Sequence, residues 1–507
     1  MQRRNLLHAA AGALGAMATV AAPALARPAR ADDFAAAVAH QPLLQPFKGV
    51  TDASGDVDGV ALLRGRWPED LRGRFYRNGP ALFERAGQRY HHWFDGDGMV
   101  QQFTIGASRG GREITHRGRL VRTAKLKAEQ QAGRFLMSAL GTRIEGGPPS
   151  GGPDSHNVAN TNAIEHAGRV LALWEGGSAY ALDPADLSTQ GPVSWRNDLQ
   201  QMPFSAHPKV DSAGHLWNFG TSGKAIVVWH IDPQGRLARV QVGESPYPGG
   251  MVHDMAITPR YLVLPLPPVS LNFGSAVTEG PRRFALQAGE PLRVLVMEKD
   301  DITRQRVFEL PPEMVFHIGN AHETADGQVM LSYVGAPDAG FLDQAAVALM
   351  AARPQQAGNV QLRTVMLDMK TGRAQQQALP GEVEFPRMDP RRIGTPARWL
   401  VTGASWKAYP GRQAGLLHGV QMVDTHSGRQ RRFDYGEHLV AEEHIVLPKP
   451  GKTGELDAWL LGTTFDARRQ STVLNLLDAA HVEDGPLAQA VLPYLLPLGF
   501  HGNFTAP

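Results

Sequence analysis

The 507-residue chain contains no cysteine. Disulfide bonds, thiol nucleophiles and thiolate metal ligands are therefore excluded, and any metal site has to be built from His, Asp or Glu. Charge of one sign is also lacking: 51 Lys and Arg against 49 Asp and Glu give a formal net charge of +2. Without a long basic run or a basic stripe interleaved with aromatics there is no electrostatic footprint for nucleic acid, and no nucleic-acid partner is expected. No HExxH or similarly paired histidine spacing occurs, which excludes a zinc-protease site on one helix. Helical patterns are sparse as well, the best being residues 123–140 and 341–353, and helices this few cap a fold rather than build one.

What remains is an ordinary globular composition, 42% hydrophobic and 20% charged, long enough to bury a large core. The N-terminus reads separately. "MQRRNLLHAAAGALGAMATVAAPALA" joins Arg3 and Arg4 to a weakly apolar run and closes on Ala24-Leu25-Ala26, the order of a secretory signal. The arginine pair resembles a twin-arginine signal, which exports folded, cofactor-loaded proteins, so residues 1–26 are set aside and a periplasmic location is expected. From residue 40 to 507 no linker or low-complexity stretch intervenes, and one domain is expected.

That domain is dominated by short β-branched or aromatic runs bounded by Gly, Pro or Asp, such as "GRVLALWEGGSAYALD", "KAIVVWHIDPQGRLARV" and "RTVMLDMKTGRAQQQ", which read as paired strands. In "DPQGR", "DMKTGR" and "DTHSGR" an Asp opens a tight turn and a Gly supplies positive φ, the pattern of outer hairpins in repeated sheets. So many strands exceed one sandwich and predict a β-propeller of about seven blades, at roughly 60–70 residues each. "FDGDGM" (94–99) lacks the closing Glu of a calcium loop and reads as a tight turn.

Four histidines stand out by context: His207 before a proline in "FSAHPKVD", His253 in "MVHDMAIT", His317 in "MVFHIGNAHE" and His501 in "GFHGNF". Each alone reads as an ordinary histidine, and their spacing carries no local metal signature. Taken in order, however, the four contexts resemble the histidine motifs of the carotenoid cleavage oxygenases. The likeness extends through "GRFYRNGPALF", "YHHWFDGDGMVQQF" and "VANTNAIEHAGRVLALWEGG" to "PLGFHGNF".

The resemblance implies an all-β, seven-bladed propeller with a helical and loop cap over the iron-bearing face. It implies one Fe2+ held by His207, His253, His317 and His501, with O2 as co-substrate. Three glutamates are expected to hold the outer ring nitrogens: Glu175 on His253, Glu384 on His317 and Glu443 on His501, with His207 left without a carboxylate. Glu443 is chosen over Glu442 because only it aligns with the apolar-and-proline pattern that follows. Thr161 matches a family threonine near the open coordination position. Where stilbene-cleaving members carry a lysine before the first glutamate, this chain has Trp174, an apolar wall suited to a polyene.

The expected reaction is therefore dioxygenolytic cleavage of a carotenoid or apocarotenoid C=C bond, each carbon leaving as a carbonyl. A stilbene substrate is the alternative within the family, and a silent propeller binding an apolar ligand is the alternative of another class. No obligate protein partner is implied. Apolar stretches 264–273 and 341–352 read either as a tunnel mouth touching a membrane or as buried cap.

Overall fold

The computed structural model describes residues 29–106, 113–247, 251–271, 284–353 and 358–507. The expected signal over residues 1–26 lies outside the described residues, as do residues 272–273 of the first apolar stretch.

Seven antiparallel sheets radiate from a central axis as the blades of a propeller. Their inner strands are, in chain order, Asn162–His166, Lys209–Val210, Ala256–Ile257, Met314–Glu323, Glu382–Arg387, Leu439–Pro448 and His501–Thr505, here numbered blades 1 to 7. Apolar residues alternate along the strands, and the core forms where the faces of neighbouring blades meet. Phe219, Val228, Leu262 and Leu295 fill the seam between blades 2 and 3, and Phe75, Phe103, Leu461 and Leu474 that between blades 6 and 7.

Blade 7 combines distant parts of the chain. His501–Thr505 is its inner strand, followed outward by Gly73–Leu82, Asp97–Ile105, Ile114–Leu120 and Val57–Val60. The register runs from His501 opposite Asn78 to Thr505 opposite Arg74. Blade 6 in turn takes Leu62–Gly65 as its outermost strand, pairing Leu62 with Val491. Both early and late segments thus cross the closure of the ring, and neither of these blades is complete from one stretch of sequence.

The three Asp-opened turns are outer hairpins of blades 2, 4 and 5. In each the Asp carboxylate accepts backbone N–H groups two residues on, as Asp232 does from Gln234 and Asp424 from His426. The glycines Gly235, Gly372 and Gly428 have φ of 76°, 79° and 70°, values that L side chains resist.

Two expectations are corrected. Inner strands begin from 47 residues apart (162 to 209) to 68 apart (314 to 382), uneven and mostly below the expected 60–70 residues, because the loops and cap segments between strands differ in length from blade to blade. The helix expected over 123–140 is Ala124–Ala132 only. Thr123 caps its start by accepting from the Leu126 N–H at 3.1 Å, and Gly133 ends it in the left-handed region at φ 63°.

The second helical segment, Phe341–Ala345 in π form continued by Ala346–Met350, belongs to the cap. Leu342, Ala346, Leu349 and Met350 are buried, the last three in one cluster with Phe34, Phe47 and Trp93. Among the described residues no helix is long and apolar enough to cross a membrane. "FDGDGM" contains a single 3-10 turn, Trp93–Asp95, and its acids are occupied: Asp95 by Gly141 and Thr142, Asp97 by Lys125.

Candidate metal centre

Each blade delivers one residue to the axis at the cap side of its inner strand. Thr161, His207 and His253 stand just before the inner strands of blades 1 to 3; His317, Glu384 and Glu443 lie within those of blades 4 to 6; His501 begins that of blade 7. At or beside three of these positions the ladders are interrupted. Register shifts bracket Phe316 and His317, Phe385 and Pro386, and Glu442 and Glu443. A bulge of this kind re-aims side chains that regular pleating would send into the blade seam.

The four histidines converge although 294 residues separate the first from the last. One nitrogen from each lies within 4.8 Å of the others, and all four side chains are buried. His207 Nε2 is 2.8 Å from His253 Nε2, which is 3.3 Å from His317 Nε2. Donors that bind one ion at bonds of about 2.1 Å stand roughly 3 Å apart, so these nitrogens fit a single metal ion. The donor set is imidazole alone, a set that suits iron, zinc, copper or nickel and not calcium or magnesium.

Carboxylates lie against the outer nitrogens of three rings. His253 Nδ1 lies 2.5 Å from Glu175 Oε1, His317 Nδ1 2.5 Å from Glu384 Oε2, and His501 Nδ1 2.9 Å from Glu443 Oε1. The carboxylate nearest His207 is Asp254, whose Oδ2 is 3.9 Å from Nδ1, too far for a hydrogen bond. Asp254 is taken instead by Lys209 Nζ at 2.8 Å, by its neighbour Met255 N–H at 2.7 Å and by Ile318 N–H at 2.8 Å. Sequence reasoning missed Asp254, although it directly follows His253.

The electrostatics follow from burial and pairing. Burial, reinforced by the other rings, drives the His207 pKa well below the usual imidazole value, and burial brings His501 down to about 4 despite Glu443. Both rings are neutral, as metal ligands must be. For His317 burial pulls the same way, but the Glu384 carboxylate overcomes it and raises the pKa. Burial would raise Glu443; Arg387, His501 and the Gly502 N–H outweigh it and bring it down to about 2.

Glu442, adjacent in sequence, has a different position. It accepts two bonds from the buried Arg77 guanidinium, at 2.9 and 2.5 Å, and further bonds from Thr463 Oγ1 and the Gly499 N–H, each at 2.7 Å. Phe385 is a second residue that sequence reasoning missed. Its φ is 56°, a conformation unfavourable for an aromatic residue, and there its N–H donates to Glu384 Oε2 at 2.6 Å. Its ring lies 5.4 Å from those of both His317 and His501.

Above the cluster opens a cavity of about 1820 Å³. His253, His317 and His501 form its floor; Trp93, Phe94, Trp174, Phe316, Phe341 and Phe500 are among its walls. Phe316 stacks on the His253 ring at 3.8 Å with the planes 3° apart. Trp174 bridges to Phe204 beside Glu175, which sits just past the strand Arg169–Leu173 rather than in it. Thr161 faces the cavity, and its hydroxyl donates to Asn160 Oδ1 at 3.1 Å.

Comparison with known proteins gives this geometry a lineage. Residues 51–506 match the family model described as Retinal pigment epithelial membrane protein. The apocarotenoid-15,15'-oxygenase of Synechocystis is 30% identical over 87% of this chain and 92% of its own length, and lignostilbene-alpha,beta-dioxygenase isozyme III of Sphingomonas paucimobilis is 27% identical over 92% and 98%. Among solved structures, the cobalt-substituted Synechocystis apocarotenoid oxygenase superposes with a TM-score of 0.80 at 27% identity, covering 92% of this chain and 99% of that one. The match spans the propeller, all seven axial positions and the closure strand, and the chain belongs to the carotenoid cleavage oxygenase family.

Proposed function

We propose that the protein is a mononuclear iron(II) dioxygenase that cleaves one C=C bond of a carotenoid or apocarotenoid, RCH=CHR′ + O2 giving RCHO and R′CHO. The observation that carries this reading is an aromatic-walled cavity of about 1820 Å³ whose floor is three of the four clustered imidazoles. That volume exceeds the roughly 300–1,000 Å³ of ordinary small-molecule sites and suits a long apolar chain. Bound iron would supply the redox chemistry that lets O2 react with an alkene, and both oxygen atoms end in product, so no reductant is needed.

The remaining work falls to this chain's side chains. Glu384 and Glu443 hold the Nδ1 protons of His317 and His501, and Glu175 lies against Nδ1 of His253, so that the three Nε2 atoms are aimed inward. Trp93, Phe94 and Phe316 hold the alkene over the floor and keep water from it. Thr161 narrows access beside the histidines, and its hydroxyl, engaged with Asn160, is not a free proton donor. Trp174 favours the polyene over the phenol of a stilbene, since its indole offers one donor on an apolar face.

Iron-loaded protein incubated in air with carotenoids, apocarotenals and hydroxystilbenes should consume the polyenes and yield two carbonyl fragments identifiable by mass. Cleavage of hydroxystilbenes alone would move the substrate to the lignostilbene class of the Sphingomonas relative. No turnover at full iron loading would favour a binding propeller. We propose further that residues 1–26 direct export to the periplasm; a mature N-terminus near Arg27, and retention when Arg3 and Arg4 are both changed to lysine, are the expected results.

A further inference from the structure

The cavity contains a carboxylate that the chemistry above does not use. Glu382 opens the inner strand of blade 5 and lines the cavity two residues before Glu384. The ladder is regular here, with Glu382 opposite Ser405, Val383 opposite Ala404 and Glu384 opposite Gly403. Glu382 and Glu384 therefore share one face of the strand, about 7 Å apart along it, while Val383 turns away into the cluster with Leu379 and Leu400.

The two glutamates differ in their partners. Glu384 is held by His317 and by the Phe385 N–H. Glu382 has no hydrogen bond and no ion pair among the described residues. The other ionisable side chains that line the cavity, Arg143, Glu145 and Asp338 included, all have an interaction partner. Burial alone pushes the Glu382 carboxyl up to about 6, with no neighbouring cation to offset it. A half-buried carboxylate with no protein donor is open to a donor from the cavity, and a hydroxyl on a bound ligand is a group that would supply it.

We propose that Glu382 is a specificity-determining residue that accepts a hydrogen bond from a hydroxyl on the end of the substrate remote from the cleaved bond, so that the preferred substrate is a hydroxylated polyene. The proposal rests on the polyene reading above. Its position fits the role: it lies one strand repeat from Glu384, the partner of His317, and so meets the substrate beyond the reacting carbons. In a cavity with long aromatic and aliphatic walls, an acceptor that no protein group occupies also fixes how far a long chain slides in, and hence which double bond lies over the floor. A carboxylate at such a point separates hydroxylated from unsubstituted ends more sharply than an apolar wall separates chain lengths.

The test takes the full-length protein and a matched pair of long polyene aldehydes that differ only in a ring hydroxyl. Binding to the metal-free protein is read by quenching of tryptophan fluorescence, to which Trp93 and Trp174 in the cavity wall contribute, and turnover of the iron-loaded protein is read as kcat/KM. Wild type should favour the hydroxylated partner about tenfold to a hundredfold in both readouts. In Glu382→Leu the ratio should fall toward one, and Glu382→Gln, which keeps an acceptor, should retain a preference. An unchanged ratio in Glu382→Leu, or no preference in wild type, overturns the role of Glu382 and leaves the polyene reading standing. Failure of wild type to bind either polyene overturns that reading and this proposal with it.

Discussion

Glu442 and Glu443 are neighbours in sequence and serve different structures, because the bulge between Ala441 and His444 sends their side chains apart. Glu443→Gln should lower metal affinity about 10- to 100-fold while the fold survives, since it weakens the grip on His501 Nδ1. Glu442→Gln should retain metal and instead shift the urea midpoint, because it leaves the Arg77 guanidinium buried and underpaired, a loss of about 3–5 kcal/mol. Metal titration beside a denaturation curve separates the two; metal lost in Glu442→Gln and kept in Glu443→Gln would reverse the assignment. For the histidines the expected result is absolute: His501→Ala should emerge without bound metal by elemental analysis, and full occupancy would remove it from the donor set.

At the scale of the element, the strand Ile114–Leu120 carries a buried histidine that makes blade 7 sensitive to acid. His116 Nδ1 lies 2.9 Å from Tyr494 Oη and Nε2 2.9 Å from Gln101 Oε1, and burial holds its pKa down to about 3. Between pH 6.5 and 3 the unfolded chain takes up a proton that the folded one refuses. The stability due to neutral His116 is complete above pH 6.5 and lost as pH falls toward 3. Urea midpoints of wild type and His116→Phe at pH 7, 5.5 and 4 should therefore converge on acidification; a constant gap would show that the ring is not held neutral.

Elements also show what the sequence alone could disclose. The outer hairpins were legible because an Asp side chain bonding two residues on and a Gly at positive φ are local events, complete within five or six residues. The helix at 124–132 was overextended because apolar periodicity continues through Gly133, whose φ of 63° is a backbone fact. The four histidines were legible through their flanking motifs and not through spacing, because blade lengths differ. Asp254, Phe385 and Glu382 were invisible since no sequence motif marks their state: one is engaged by Lys209 and two backbone amides, one is strained, and one is left without a partner, and each of these is settled only when the blades are assembled.

For the whole molecule the axial cluster acts as a rivet. Its four ligand positions come from blades 2, 3, 4 and 7, so one ion would tie the closing blade to three others. Chelation should lower the melting temperature, and each tenfold rise in free iron above Kd should add about 1.4 kcal/mol of stability, measurable by calorimetry; a melting temperature indifferent to metal would show that the donors do not bind as a set. The same closure fixes an order in time. Since His207 and His501 lie 294 residues apart and a ribosome adds about 5–20 residues per second, roughly a quarter of a minute to a minute separates the first donor from the last. A nascent chain can shape most of the ring in that interval, yet it has neither the inner strand of blade 7 nor the fourth nitrogen. The complete donor set therefore exists only once the chain is finished, so full metallation is a post-translational event.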